Sequence, residues 1–239
     1  MSTEKPRWQL QDYHLHSIYS DGDNTIPSIV RACDAAGCHE IAITDHVDQD
    51  GNLTFVADFR RDHSLQDYFH AIQDFKEESI AEYGVRLHAG IELSSTTSFY
   101  REAIKKNIVP IADAIELVLI EGHDNSGAVN VAMAARESLV NAGHENIPVI
   151  IAHPDYAELT VSIEMLIENS IGLELNEAKF SPALRQGLEH ILQEIDEESF
   201  PMLRFTLGSD AHQASFAGKI DIVHAFARDH GLLDNITWL

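Results

Sequence analysis

Gln11-Asp12-Tyr13-His14-Leu15-His16 is the stretch on which the reading of this chain turns. Residues two apart on a strand share a face, so a strand ending here brings the imidazoles of His14 and His16 to one point. Behind it, Thr25-Ile26-Pro27 opens a helix with proline in the first turn, and the helical period runs over residues 26–36 to Gly37. The same unit, a short apolar run followed by an amphipathic segment, then repeats along the chain. Strands are expected at residues 11–16, 40–44, 87–93, 115–121, 149–153, 172–176 and 204–209. Helices are expected at residues 26–36, 64–83, 129–142, 163–169, 183–197 and 217–230. Strands alternating with helices predict a parallel sheet covered by helices, open or closed into a barrel.

Composition agrees with one such unit. The chain has 239 residues, 44% hydrophobic and 23% charged, which excludes a disordered chain. No internal repeat, low-complexity tract or linker divides it, so one domain is expected over residues 1–239, with residues 1–9 as a tail. The longest apolar runs fall short of a membrane span, and MSTEKPRW lacks the apolar core of a secretory signal. A cytoplasmic protein is therefore expected, with Cys33 and Cys38 as free thiols. Sixteen Lys and Arg against 39 Asp and Glu leave a net charge of −23, a field that repels long nucleic acids.

The chemistry-bearing residues fall where the expected strands end, which in parallel α/β architectures is the active-site face. His14 and His16 close the first strand, His46 follows the second, and Glu92 closes the third. His123 follows the fourth, His153 closes the fifth, and Asp210 and His212 follow the seventh. A lone histidine is more often a packing or surface residue, and His39, His63, His70, His88, His144, His190, His224 and His230 are read that way. The set of ligand types is different. Imidazoles and carboxylates gathered without cations would bury charge at several kcal/mol per group. Divalent metals remove that cost, and the mixture suits zinc, manganese or iron.

Five strings then carry a resemblance: HLHSIYSDG (14–22), ITDH (43–46), GIELS (90–94), AHPD (152–155) and GSDAH (208–212). In this order they resemble the PHP family, named after polymerase and histidinol phosphatase. The resemblance implies a distorted seven-stranded (β/α)7 barrel, a centre of three divalent ions and phosphoester hydrolysis. It assigns His14, His16, Glu92 and Asp210 to a first metal. Glu92 would bridge to a second, completed by His123 and His153, and His46, His212 and Asp21 would hold a third. A metal-bridging hydroxide held by Glu92 would attack the phosphorus of a small phosphorylated metabolite, such as histidinol phosphate or a nucleotide monophosphate. Asp12 and Asp45, next to ligand positions, would fix histidine tautomers or form salt bridges outside the cluster.

Cations expected to anchor the substrate phosphate near the site are few. Lys179 and Arg185 follow the sixth strand, whose end has no assigned ligand. Arg60 and Arg61 lie in residues 47–63, a segment of neither period that reads as a lid or a surface insertion. A metal-dependent amidohydrolase, and a non-catalytic metal-binding module that supports a partner protein, are the competing functions. No membrane contact is expected.

Overall fold

The computed structural model describes residues 11–48, 50–53, 63–94, 101–122, 125–237 and 239. The expected tail, His123, Arg60 and Arg61 lie outside these residues, as does the middle of the segment read as a lid or insertion.

Strands β1 (Gln11–Leu15), β2 (Glu40–Ile43), β3 (His46–Val47), β4 (Arg86–Leu93), β5 (Leu117–Glu121), β6 (Val149–Ala152), β7 (Ile171–Asn176) and β8 (Phe205–Gly208) form the sheet. Its order is β1-β2-β4-β5-β6-β7-β8, with β3 beside β4, and every pairing is parallel. Strand β3 prolongs β2, since Ile43 lies opposite Ala89 and His46 opposite Glu92, three residues further on each strand. Leu15 bridges Ala211, and backbone bonds from Asp210 to His14 and from His16 to Ala211 join β1 to the end of β8. The sheet is a nearly closed barrel of seven strands with helices outside it, the closed form of the expected architecture.

The seam between β1 and β8 explains the distortion. The register of β1 slips between Asp12 and Leu15, so side chains supply bonds that a regular ladder would make. Gln11 Oε1 accepts from the Leu207 N–H at 3.2 Å. Asp12 accepts from the N–H and hydroxyl of Ser209 at 2.9 and 2.6 Å, and from the Gly218 N–H at 2.8 Å. Asp45 likewise accepts from the N–H and hydroxyl of Ser17, and from the hydroxyl of Ser20. These aspartates act outside the cluster, but through hydrogen bonds from serine and glycine where a salt bridge was the expectation. Both fasten loops at the barrel rim, because neighbours on a strand face opposite sides.

Alternation divides the apolar residues into two layers. Tyr13, Ala42, Leu117, Leu119, Ile150 and Ala152 form one cluster, while Val118, Ile120, Val149 and Ile151 belong to the larger core that the helices share. The inner cluster is a packed plug, as in other parallel barrels. At the amino end of the strands, Thr237 pairs with Phe205 and Leu239 packs on the plug.

Helix Ile26–Ala36 buries Ile26, Ile29, Val30 and Cys33, the stripe a 3.6-residue period requires, and ends at Gly37 with φ 89°. Helix Leu65–Glu78 starts on a Ser64–Asp67 capping box, then widens into a π turn over Ser79–Tyr83, where one uniform helix was expected. The last expected helix begins at Asp221 instead of residue 217. Gly218 has φ 76°, and the Glu177 carboxylate accepts from the N–H groups of Ile222 and Val223, which sets the start. Among the described residues no helix is long and apolar enough to cross a membrane. Cys33 and Cys38 are buried free thiols.

His88 is more than a packing residue. It is buried, with Nε2 3.0 Å from Glu40 and Nδ1 2.9 Å from Glu116. Lys76 pairs with Glu116, and Arg86 lies 3.4 Å from Glu40. Burial alone would lower the pKa of His88, but the hydrogen bonds to Glu116 and Glu40 outweigh it and raise it. The imidazole in turn lowers Glu40, and it holds Glu116 at about 2 with help from Lys76.

Candidate metal centre

The carboxyl ends of the strands bring His14, His16, Asp21, His46, Glu92, His153, Asp210 and His212 together. Each arrives for a local reason. Leu15 turns into the core between His14 and His16 and leaves their rings 4.9 Å apart. His46 lies opposite Glu92 across β3 and β4, with Nδ1 3.2 Å from Oε2. Asp21 sits in the turn where Gly22 packs on the backbone of His16 and Ser17. His153 and Asp210 follow β6 and β8 with φ of 31° and 55°, a left-handed backbone rare outside glycine. Such strain costs on the order of 1–3 kcal/mol and persists where the surroundings enforce it. Here the enforcing bonds are His153 N–H to Glu174 and Asp210 N–H to the His14 carbonyl.

Three groups of ligand atoms lie within metal-binding reach, each with its atoms within 4.8 Å of one another. They are His16, Asp21, His46 and His212; His14, Glu92 and His153; and His14, His16 and Asp210. Glu92 stands at the middle. Its Oε2 is 3.1 Å from His14 Nε2 and 3.4 Å from His16 Nε2, and its Oε1 is 3.3 Å from His153 Nε2. Asp21 Oδ2 lies 3.1 Å from His212 Nε2 and 3.7 Å from His46 Nε2.

Two observations make the set fit cations. His14 Nε2 lies 3.0 Å from His16 Nε2 and 3.1 Å from Glu92 Oε2, so with its Nδ1–H given to Glu174 a neutral His14 turns a lone pair toward a carboxylate oxygen. His16 Nδ1 is buried with no hydrogen-bond partner, an arrangement that costs about 1–3 kcal/mol unless something accepts its lone pair. Charge points the same way. Burial would raise the pKa of Glu92, but His14 and its neighbours overcome that and hold it well below the ordinary range. Burial likewise opposes Asp21, yet His212 and nearby imidazoles bring it down to about 2. His16 is lowered, first by burial. Burial opposes a charge on His14, yet Glu174, Glu92 and Asp210 raise its pKa. The carboxylates thus draw positive charge into the site beside the lone pair of His16, a donor set suited to zinc, manganese or iron.

Glu174 is the residue the strand-end reading missed. It is buried on β7, accepts from His14 Nδ1 at 2.8 Å, and accepts from the His153 N–H at 2.7 Å and Asn176 Nδ2 at 3.0 Å. A bond to Nδ1–H leaves Nε2 of His14 free to bind a cation. Its signal in the sequence was a glutamate between two leucines in an otherwise apolar strand, on the same face as Asn176. Gly208 on β8 makes room for the pair, because a Cβ there would lie 2.0 Å from Glu174 Oε1 and 2.6 Å from His14 Cβ.

The expected substrate cations divide. Lys179 Nζ is 3.7 Å from Asp210 Oδ2, at the edge of the cluster and half exposed. Arg185 instead pairs with Glu189 at 3.0 Å and lies over the Phe226 ring on the helix surface. His123 and Arg61 lie outside the described residues.

Comparison with known proteins places this geometry. No curated protein matches the sequence. Histidinol phosphate phosphatase from Lactococcus lactis, complexed with zinc, L-histidinol and phosphate, aligns with a TM-score of 0.65 at 21% identity, over 96% of this chain and 95% of that one. Adenine deaminase from Arthrobacter aurescens aligns with a TM-score of 0.50 at 13% identity, over 85% of this chain and 65% of that one. At these identities both likenesses are of fold. The family model for the PHP domain matches residues 12–202, from the first strand past the seventh. That match, on a barrel whose strand ends gather imidazoles and carboxylates, shows that the chain belongs to the PHP domain family.

Proposed function

We propose that this chain hydrolyses a small phosphomonoester at a centre of three divalent ions, zinc, manganese or iron. The observation that carries the reading is the convergence of His14, His16, Glu92 and Asp210 around a pair of imidazole nitrogens 3.0 Å apart. These four residues would hold one ion. Glu92 would be shared with a second, completed by His153 and His123, and His46, His212 and Asp21 would hold the third. Bound there, such cations would lower the pKa of water toward neutrality and offset charge on the phosphoryl oxygens.

The remaining work falls to the chain. Glu174 orients His14, the seam through Asp12 fixes Ser209 ahead of Asp210, and Lys179 meets a phosphoryl oxygen beside Asp210. Water adds to phosphorus, the ester P–O bond breaks and the alcohol leaves, without a phosphorylated residue. Two buried free thiols accord with a cytoplasmic setting.

The test is phosphate release by the protein as purified across a panel that includes L-histidinol phosphate, nucleotide monophosphates and sugar phosphates, with cyclic amides alongside. The reading expects phosphate release and no amide hydrolysis. The reverse result would make the chain an amidohydrolase. Bound metal with neither reaction would make it a non-catalytic module.

A further inference from the structure

A cavity of about 500 Å³ opens beside the cluster and shares Asp210 and His212 with it. Its size lies within the range of small-molecule sites. Gln213, Phe216 and Lys219 form the wall away from the cluster. The Phe216 N–H donates to the Gln213 carbonyl at 2.9 Å, and the Lys219 N–H donates to the Phe216 carbonyl at 3.2 Å. Two successive turns join these residues, and all three line the cavity.

Phe216 is 56% exposed, the one exposed Phe or Tyr ring among the described residues. Lys219 Nζ lies over its ring, 5.1 Å from the centroid, so an ammonium group covers one face of the ring and the other is left for a ligand. Glu177, also on this wall, is engaged, because its carboxylate accepts from the backbone of Ile222 and Val223. The wall thus offers an aromatic ring with a cationic donor against it, in the same cavity as Asp210 and His212.

We propose that this cavity receives the alcohol portion of the substrate and selects one carrying a planar, acceptor-bearing ring. Phe216 is the stacking surface and Lys219 the donor to the ring's acceptors. A flexible aliphatic alcohol presents no face to Phe216 and gains little there. The proposal rests on the phosphoesterase reading, since that reading makes Asp210 and His212 the phosphoryl end of the cavity.

The test compares two ligands that differ only in the ring. They are the phosphonate analogues of adenosine 5′-monophosphate and ribose 5-phosphate, in which a methylene replaces the ester oxygen and prevents hydrolysis. Calorimetry on the protein as purified should show the adenosine compound binding about tenfold tighter, the scale of one base stacked on an aromatic side chain. Phe216→Ala should remove most of that gap and leave the ribose compound unchanged, and Lys219→Met should narrow it. Both side chains are at the surface, so both variants should fold. Equal affinity of the wild type for the two ligands, including no binding of either, would overturn the proposal. So would a gap that survives Phe216→Ala. If the gap behaves as expected but adenosine 5′-monophosphate itself releases no phosphate, the phosphoesterase reading fails for that ester and the ring-selecting cavity stands.

Discussion

Glu174 and His14 sit on β7 and β1 and meet at 2.8 Å, Oε1 to Nδ1, while the other oxygen of Glu174 accepts from the backbone of His153. One carboxylate thereby orients a candidate ligand ring and fixes the strained residue that presents another. Outer partners of this kind typically contribute about 10–100-fold in metal affinity. Glu174→Gln can turn its amide to keep an acceptor for only one of these donors. It should lose metal affinity on that scale in a chelator competition while keeping the fold by circular dichroism. Unchanged affinity would remove Glu174 from the centre.

Gly208 tests the same relationship through space instead of charge. An alanine methyl would meet Glu174 Oε1 at 2.0 Å, so the carboxylate must move or β8 must shift. Overpacking of this kind costs about 1–3 kcal/mol. Gly208→Ala should lower the urea midpoint accordingly and weaken metal binding together with it. Gly84→Ala is the control, because its added Cβ meets nothing within 4 Å. It should cost stability through its φ of 68° alone and leave metal binding intact.

Much of this was legible in the sequence because the fold puts strand ends on one rim and the motifs lie at strand ends. His46 and Glu92 needed only their strands to be recognised, since a parallel register then sets them side by side. Glu174 was missed despite its place between two leucines, because it lies two residues inside β7 and not at the strand end. Asp12 and Asp45 were ambiguous because their roles depend on a slipped seam and a broken strand, which no periodicity records. The late start of the last helix depends on Glu177, 44 residues from Asp221, and local pattern does not carry that distance.

Lys179 is the cation whose charge should matter to substrate. Its ammonium stands 3.7 Å from Asp210 with half its side chain in solvent. Lys179→Met keeps most of the stem and removes the charge. A charge-assisted bond to a phosphoryl oxygen is worth about 1.5–3 kcal/mol when formed, which corresponds to roughly tenfold or more in kcat/KM. Steady-state kinetics should show that loss at unchanged metal content, whereas Arg185→Met should change neither. A Lys179 variant with wild-type kcat/KM would assign this lysine to the surface.

The His88 network gives stability a pH dependence away from the metal site. The raised pKa of His88 contributes stability that is fully present below the unfolded value of about 6.5 and is lost as pH rises through the folded value. The lowered Glu40 and Glu116 contribute above about 4.3, and the Glu116 share disappears as pH falls toward about 2. Urea denaturation of wild type and His88→Gln should therefore differ most between about pH 5 and 6. The difference should shrink on the alkaline side. A difference that is constant from pH 5 to 9 would show that His88 stays uncharged.

The most direct measurement joins elemental analysis to phosphate release for the wild type and Glu92→Gln. Glu92 is the carboxylate within 3.4 Å of four candidate ligand imidazoles. The wild type should carry zinc, manganese or iron and release phosphate from a monoester, and exhaustive chelation should abolish release until metal is restored. Glu92→Gln should lose most of the metal and the turnover together. Full metal content and undiminished release in Glu92→Gln, or phosphate release by metal-free protein, would contradict the account.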